Sequence, residues 1–147
     1  MNLKELYQDI ILEHGKSPRN LGKCEGYNHN AKGYNPLCGD KVHVYLKLDN
    51  KKKVESLTFE GEGCAISLAS ASILTDILKG KDFNLAKAIT DNFLNLIKEN
   101  KSITLNSLNE DQKTTLMSLS GVKDFPMRVK CATMAWHTLL SALEKKG

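Results

Sequence analysis

An α+β domain is predicted: a small antiparallel β-sheet of about three strands with helices packed on one face. Two observations carry this. The hydrophobic period is helical at the N-terminus, changes to two from Val42, and returns to a helical spacing from Cys64 onward. The strands are grouped and the following helices are grouped, which is the order of an α+β fold rather than an alternating α/β one.

The first helix is marked by Leu3, Leu6, Tyr7, Ile10, Ile11 and His14 at three- and four-residue spacing. Gly15 and the stretch Ser17-Pro18-Arg19-Asn20 are expected to end it. Residues 21–40 are rich in Gly, Asn and polar residues and read as loop, with one short edge strand around Tyr27. Val42, Val44, Leu46 and Leu48 then alternate with His43, Tyr45, Lys47 and Asp49, the pattern of a half-buried strand. Asp49-Asn50-Lys51-Lys52-Lys53 supplies a turn, and a second strand from Val54 to Glu60 completes an antiparallel hairpin.

From Cys64 a helix is expected, with Ile66, Ala69, Ile73 and Ile77 on its apolar face and Gly80 as its stop. Its many Ala and Ser residues let another element approach closely. Leu85 to Ile97 reads as one bent helix or two short ones. Ser107-Leu108-Asn109-Glu110 matches a capping box for a helix that Gly121 ends. Asp124 is the expected N-cap of the last helix, with Pro126 in its first turn. Val129, Thr133, Trp136, Leu140 and Leu143 form that helix's expected buried stripe.

The 147 residues set a single domain over 1–147 as the expectation, long enough to bury a core without disulfides. The hydrophobic 41% and charged 26% are those of an ordinary soluble protein. A net charge of +4 with scattered basic residues falls short of the clustered stripe of a nucleic-acid binder. No apolar run approaches the roughly 18 residues of a membrane span. The first residues carry acids and no apolar signal core, so a cytoplasmic location is expected. In a reducing compartment, cysteines point to metal binding or catalysis rather than disulfides.

Three cysteines stand in contexts that suit a thiolate. Cys38 lies in Asn35-Pro36-Leu37-Cys38-Gly39-Asp40, Cys64 closes Gly61-Glu62-Gly63-Cys64, and Cys131 follows Arg128-Val129-Lys130. With Asp40 they make three thiols and one carboxylate, the ligand count of a tetrahedral zinc site. Their spacing matches no zinc-finger pattern, so position in the fold must decide. Cys38 precedes one strand of the hairpin and Cys64 follows the other, which places both at one end of the sheet. Cys64 and Cys131 are expected near first helical turns, where the helix dipole favours a thiolate. Lys130 and Arg128 would supply positive charge beside them. A free cysteine taken alone is often a small buried hydrophobe, and Cys24, without such neighbours, is read that way. His14, His29, His43 and His137 are read as structural. No Ser-His-Asp pattern, P-loop or dinucleotide fingerprint is present.

These motifs resemble the U-type iron–sulfur assembly proteins. The resemblance is carried by Asn35-Pro36-x-Cys38-Gly39-Asp40, by Phe59-x-Gly61-x-Gly63-Cys64-x-Ile66-Ser67, by Lys79-Gly80-Lys81 and by Arg128-x-Lys130-Cys131-Ala132. Leu6-Tyr7 and Pro18-Arg19-Asn20 fit as well. IscU-type members carry a histidine directly before the third cysteine and a double-proline chaperone motif upstream. Here those places hold Lys130 and the single Pro126. With a stretch from about 97 to 122 that looks like the SufU-type insertion, the chain is most similar to the SufU branch. That resemblance implies zinc held by Cys38, Asp40, Cys64 and Cys131. It implies sulfur transfer from a PLP-dependent, SufS-like cysteine desulfurase to a downstream iron–sulfur assembly scaffold. In that mechanism a partner histidine takes one zinc position and frees Cys38 to accept persulfide sulfur, while Arg128 engages the partner or poises the site. The alternative it leaves open is a scaffold that binds iron or assembles a transient [2Fe-2S] cluster on the same ligands. A purely structural zinc module is the third reading.

Overall fold

The computed structural model describes residues 2–99 and 107–144. The order is α1 (Leu3–Lys16), β1 (His29–Asn35), β2 (Asp40–Leu48), β3 (Val54–Glu62), α2 (Ala65–Leu78), α3 (Phe83–Glu99) and α4 (Glu110–Leu119), then a 3-10 turn (Ser120–Asp124) and α5 (Pro126–Glu144). The three strands form an antiparallel sheet in the order β1-β2-β3. Val42, Val44, Leu46, Leu57 and Phe59 alternate onto its inner face and are buried. There α5 packs on β1 and β2, and α2 packs on β3. This is the α+β architecture the sequence predicts.

Local differences have local causes. The edge strand lies at His29–Asn35, not around Tyr27. Gly26, at φ +77°, turns the chain just before it. Tyr27 instead sets its ring edge-on to Tyr45, with 5.0 Å between centroids. That contact, with His43 stacked at 4.0 Å, leaves Tyr45 only 5% exposed although it points to the outer face. α1 runs one residue past Gly15 and closes where the Ser17 N–H donates to Glu13 O at 3.0 Å. The capping box belongs to Asn109 and Gln112 rather than to Ser107 and Glu110, because α4 starts at Glu110. α3 is one helix. The 3-10 turn ends at Asp124, so Phe125, with extended backbone, stands before Pro126 in the N-cap place expected of Asp124. Residues 100–106, inside the stretch read as an insertion, lie outside the described residues. α4 within that stretch packs against α1.

The serines of α2 explain how a small-sided helix sits at the centre. α2 contacts α1 on one side and α5 on the other. The Ser70 hydroxyl donates to Ala132 O and accepts from Trp136 Nε1 at 2.9 Å. Ser72 Oγ lies 2.7 Å from His14 Nδ1 and accepts from the Arg19 N–H at 2.8 Å. Each buried hydroxyl thus has partners on a neighbouring element, which removes the cost of burying it unpaired. Trp136 is fully buried with its ring 4.5 Å from that of Phe93. α5 is therefore buried over more of its circumference than a single stripe: Ala132, Ala135, Leu139 and Ala142 join Trp136 and Leu143. Val129 and Leu140 are only half-buried. Among the described residues no helix is long and apolar enough to cross a membrane.

Two outcomes follow. Trp136→Ala empties the junction of α2, α3 and α5 and is expected to lower stability by about 3–5 kcal/mol, read from the denaturant midpoint. Burial holds the His14 pKa below its ordinary value. The folded protein then binds fewer protons at His14 than the unfolded chain. The contribution of neutral His14 is present above the unfolded pKa of about 6.5 and is lost as pH falls through the folded value. Stability should decline on acidification below that point, and His14→Gln should flatten the decline in melts across this range.

Candidate metal centre

The site is built at one end of the sheet. The pairs Asn35↔Asp40 and Lys41↔Glu62 bring the β1–β2 turn beside the exit of β3. The turn closes with the Cys38 N–H donating to Asn35 O at 3.3 Å, and Gly39 takes φ +71°, a conformation that glycine adopts without strain. Cys38 is thereby held exposed at the hairpin tip. The hairpin argument from sequence holds: Cys38 and Cys64 share this end.

Asp40 is 0% exposed. Its Oδ1 accepts from the Cys64 N–H at 2.9 Å and its Oδ2 accepts from Asn35 Nδ2 at 3.3 Å. A Cβ on Gly63 would stand 2.2 Å from Oδ1, and Gly63 has φ +148°, so this place must be glycine. Among the described residues no ion pair reaches Asp40. A buried carboxylate without a counter-charge costs several kcal/mol, which a bound cation would offset.

α5 brings the remaining thiol. Cys131 is 4% exposed, and its Sγ lies 3.6 Å from that of Cys38 and 3.8 Å from Asn35 Nδ2. One ligand atom each from Cys38, Asp40 and Cys131 lies within 4.8 Å of the others. Two thiolates at about 2.3 Å from one tetrahedral zinc stand about 3.8 Å apart, so the donor set and its spacing fit a shared metal.

Cys64 stands outside that triad. It caps α2, its sulfur accepting from the Ser67 N–H at 3.5 Å while Ser67 Oγ donates to Cys64 O. It is nevertheless a neighbour of Cys131: burial pushes the Cys131 thiol up, and hydrogen bonding with Asp40, Cys64 and Cys38 adds to the rise. The lowered pKa expected from a helix start does not apply to Cys131. α5 begins at Pro126, so Cys131 lies beyond the first turn, where the dipole has faded and desolvation dominates.

Arg128 is exposed in the first turn of α5, its guanidinium 4.5 Å from the centre of the Phe125 ring. It also stands beside Tyr7. Burial raises the Tyr7 pKa, the Arg128 guanidinium opposes the rise, and charge on Cys64 and Cys131 adds to it. The Tyr7–Arg128 pair therefore borders the thiols without belonging to the triad. Lys130 is exposed and lines grooves along the outside of α5. Cys24 is buried, as expected of a bystander. His43 Nε2 donates to Asn30 Oδ1 (2.9 Å) and His14 is buried against Ser72, both in structural roles. Sequence reasoning missed the roles of Asn35 and Tyr7. Asn35 could have been found from its place at the opposite end of the turn from Asp40. Tyr7 carries no such signal, since its spacing is that of a core residue.

Comparison with known proteins finds relatives over nearly the whole chain. A sequence model of the NifU-like N-terminal domain matches residues 6–132. The zinc-dependent sulfurtransferase SufU of Bacillus subtilis is 38% identical over 99% of this chain and 94% of its own length. The iron–sulfur cluster assembly scaffold protein IscU of Streptococcus pyogenes is 34% identical over 99% of this chain and 87% of its own. The crystal structure of FiSufU from Fervidobacterium islandicum AW-1, proposed as a cluster assembly scaffold of the SUF system, superposes with a TM-score of 0.81. It is 32% identical and the match covers 95% of this chain and 97% of that one.

Asn35→Ala removes the side chain that orients Asp40 and touches Cys131. Loss of such a supporting hydrogen bond is expected to weaken binding of a divalent metal at this site about 10–100-fold in chelator competition, with the far-UV spectrum unchanged.

Proposed function

The chain belongs to the NifU-like N-terminal domain family of iron–sulfur cluster assembly proteins, and on that premise we propose that it is a zinc-dependent sulfurtransferase. It accepts persulfide sulfur from a PLP-dependent cysteine desulfurase and passes it to a downstream assembly scaffold. The observation that carries the reading is the contrast between the thiols. Cys38 is exposed on a tight turn, while its near neighbour Cys131 is buried. An accepting thiol must be reachable, and an anchoring one need not be. The SufU name of the Bacillus relative supports the same reading.

Cys38, Asp40, Cys64 and Cys131 would hold the zinc, with Cys64 turning its sulfur from the Ser67 N–H to do so. That contact is to sulfur, a weak acceptor, and is easily given up. Zinc, when bound, keeps its cysteine ligands as thiolates and protects them from oxidation. Transfer itself is thiol–disulfide exchange. The Cys38 thiolate attacks the terminal sulfur of the donor's persulfide, the donor's S–S bond breaks, its cysteine leaves as thiolate, and a persulfide is left on Cys38. No net oxidation occurs. Arg128, exposed and steadied by Phe125 and Tyr7, is placed to meet the donor or its developing negative charge. The stretch from about 97 to 122 is then the SufU-type insertion of a single domain, and the protein works in the cytoplasm.

The test couples metal analysis to a desulfurase assay. Purified protein should hold about one zinc per chain and stimulate its desulfurase. Cys38→Ala should abolish stimulation while keeping the fold, and Arg128→Ala should reduce it. A tightly bound iron–sulfur cluster without stimulation would establish the scaffold function instead.

A further inference from the structure

The two edges of the sheet differ. That of β3 is covered: the Gly22 N–H donates to Phe59 O, the Phe59 N–H to Asn20 O, the Val54 N–H to Lys81 O and the Gly80 N–H to Val54 O, all at 2.7–3.1 Å. β1 pairs with β2 on one side, and among the described residues no strand lies on the other. An uncovered edge presents unpaired N–H and C=O groups that another extended backbone can satisfy.

That edge forms one wall of a groove of about 480 Å³. Residues 32–35 line it on the sheet side. On the α5 side the wall is a single helical face that includes Lys130, Thr133, His137 and Ser141. Among the described residues, the charged groups in this lining are Lys32 and Lys130, with no carboxylate among them. On the other flank of α5 a second groove, of about 470 Å³, shares Lys130, Thr133 and His137 and adds Lys98 and Lys123. Its described lining residues also include no carboxylate. The chain as a whole has 17 acids against 21 bases, so a surface this size with bases alone is locally biased toward an acidic occupant.

We propose that the groove between β1 and α5 docks an acidic, extended segment of a partner protein, which pairs as a further strand with the open edge of β1 over residues 32–35. Main-chain hydrogen bonds to the edge give the affinity, and Lys32, Lys130 and His137 select for acidic side chains. Asn35 and Leu37 line the same groove, so a docked segment ends beside the Cys38 turn. The link to sulfur exchange at Cys38 rests on the function proposed above; the docking does not.

The test measures binding alone, on the full chain as purified with its metal. A short fluorescein-labelled peptide of alternating glutamate and valine serves as probe. Fluorescence anisotropy compares it with a lysine–valine peptide and with the same glutamate–valine peptide N-methylated at alternate amides. The acidic peptide should bind and the basic one should not. N-methylation should weaken binding at least about tenfold, and so should the double variant Lys32→Glu, His137→Glu. Hydrogen exchange should show protection gained within residues 32–35. Absence of binding, equal binding of the N-methylated peptide, or no added protection at that edge would overturn strand addition. Tighter binding of a single-stranded oligonucleotide that displaces the peptide would reassign the groove to nucleic acid. The N-methylated peptide is tested on the unaltered protein, so the result stands even where the double variant fails to fold. Loss of desulfurase stimulation with peptide binding intact would overturn the sulfur-transfer reading and leave this one.

Discussion

The buried carboxylate of Asp40 is the constraint around which this protein is arranged. It begins β2, accepts from the first amide of the α2 cap, and is oriented by the last residue of β1. Three elements therefore meet on one side chain that has no counter-ion among the described residues. Such a group is costly unless something positive shares its site. The same fact fixes Gly63, since any Cβ there would occupy the place of Oδ1. Folding thus leaves a hole in the electrostatics at one end of the sheet, and the thiols of Cys38 and Cys131 stand at its rim.

What makes the hole usable is the asymmetry of those thiols. Burial raises the pKa of Cys131, so it does not ionise readily without a cation. Cys38 sits on a turn open to solvent. Cys64 has a second occupation as a helix cap. On the ligand set proposed above, a metal bound here would draw on one fixed thiol, one reachable thiol and one that must be recruited. That is a different design from a compact zinc knuckle, whose ligands are equally sequestered and whose fold depends on the ion. Here Trp136, Phe93 and the serine links of α2 hold the helices to one another without reference to the site.

The surroundings of the thiols are also two-sided. Beside Cys64 and Cys131, toward α1, lie Tyr7, Phe125 and Arg128, which line one groove. Toward the open edge of β1 lies a groove whose charges are all basic. Under the proposed function, a thiol that both receives and gives sulfur would benefit from neighbouring surfaces of different character, because each can select a different partner. The sheet supports this by closing one edge with its own chain and leaving the other free.

The sequence by itself determined the helices, the β2–β3 hairpin and the nearness of Cys38 to Cys64. These follow from hydrophobic period and from the geometry of an antiparallel pair, both local properties. The strand signal of β1 is weak because its inward residues, His29, Ala31, Gly33 and Asn35, carry no apolar alternation; α5 packs on the strand all the same, and His29, Ala31 and Asn35 are buried. The capping box slipped because two overlapping matches compete, and only the start of α4 chooses between them. Residue type and family resemblance both pointed to Asp40 as a candidate ligand, but not to why it is held in place. Tertiary structure alone decided that Cys131, 93 residues from Cys38, reaches it within 3.6 Å. It alone decided that Asn35 orients Asp40, that Cys64 caps a helix instead of joining the triad, and that one sheet edge stays open. Each of these is a contact between segments distant in sequence, or a choice of rotamer, and periodicity along a chain encodes neither.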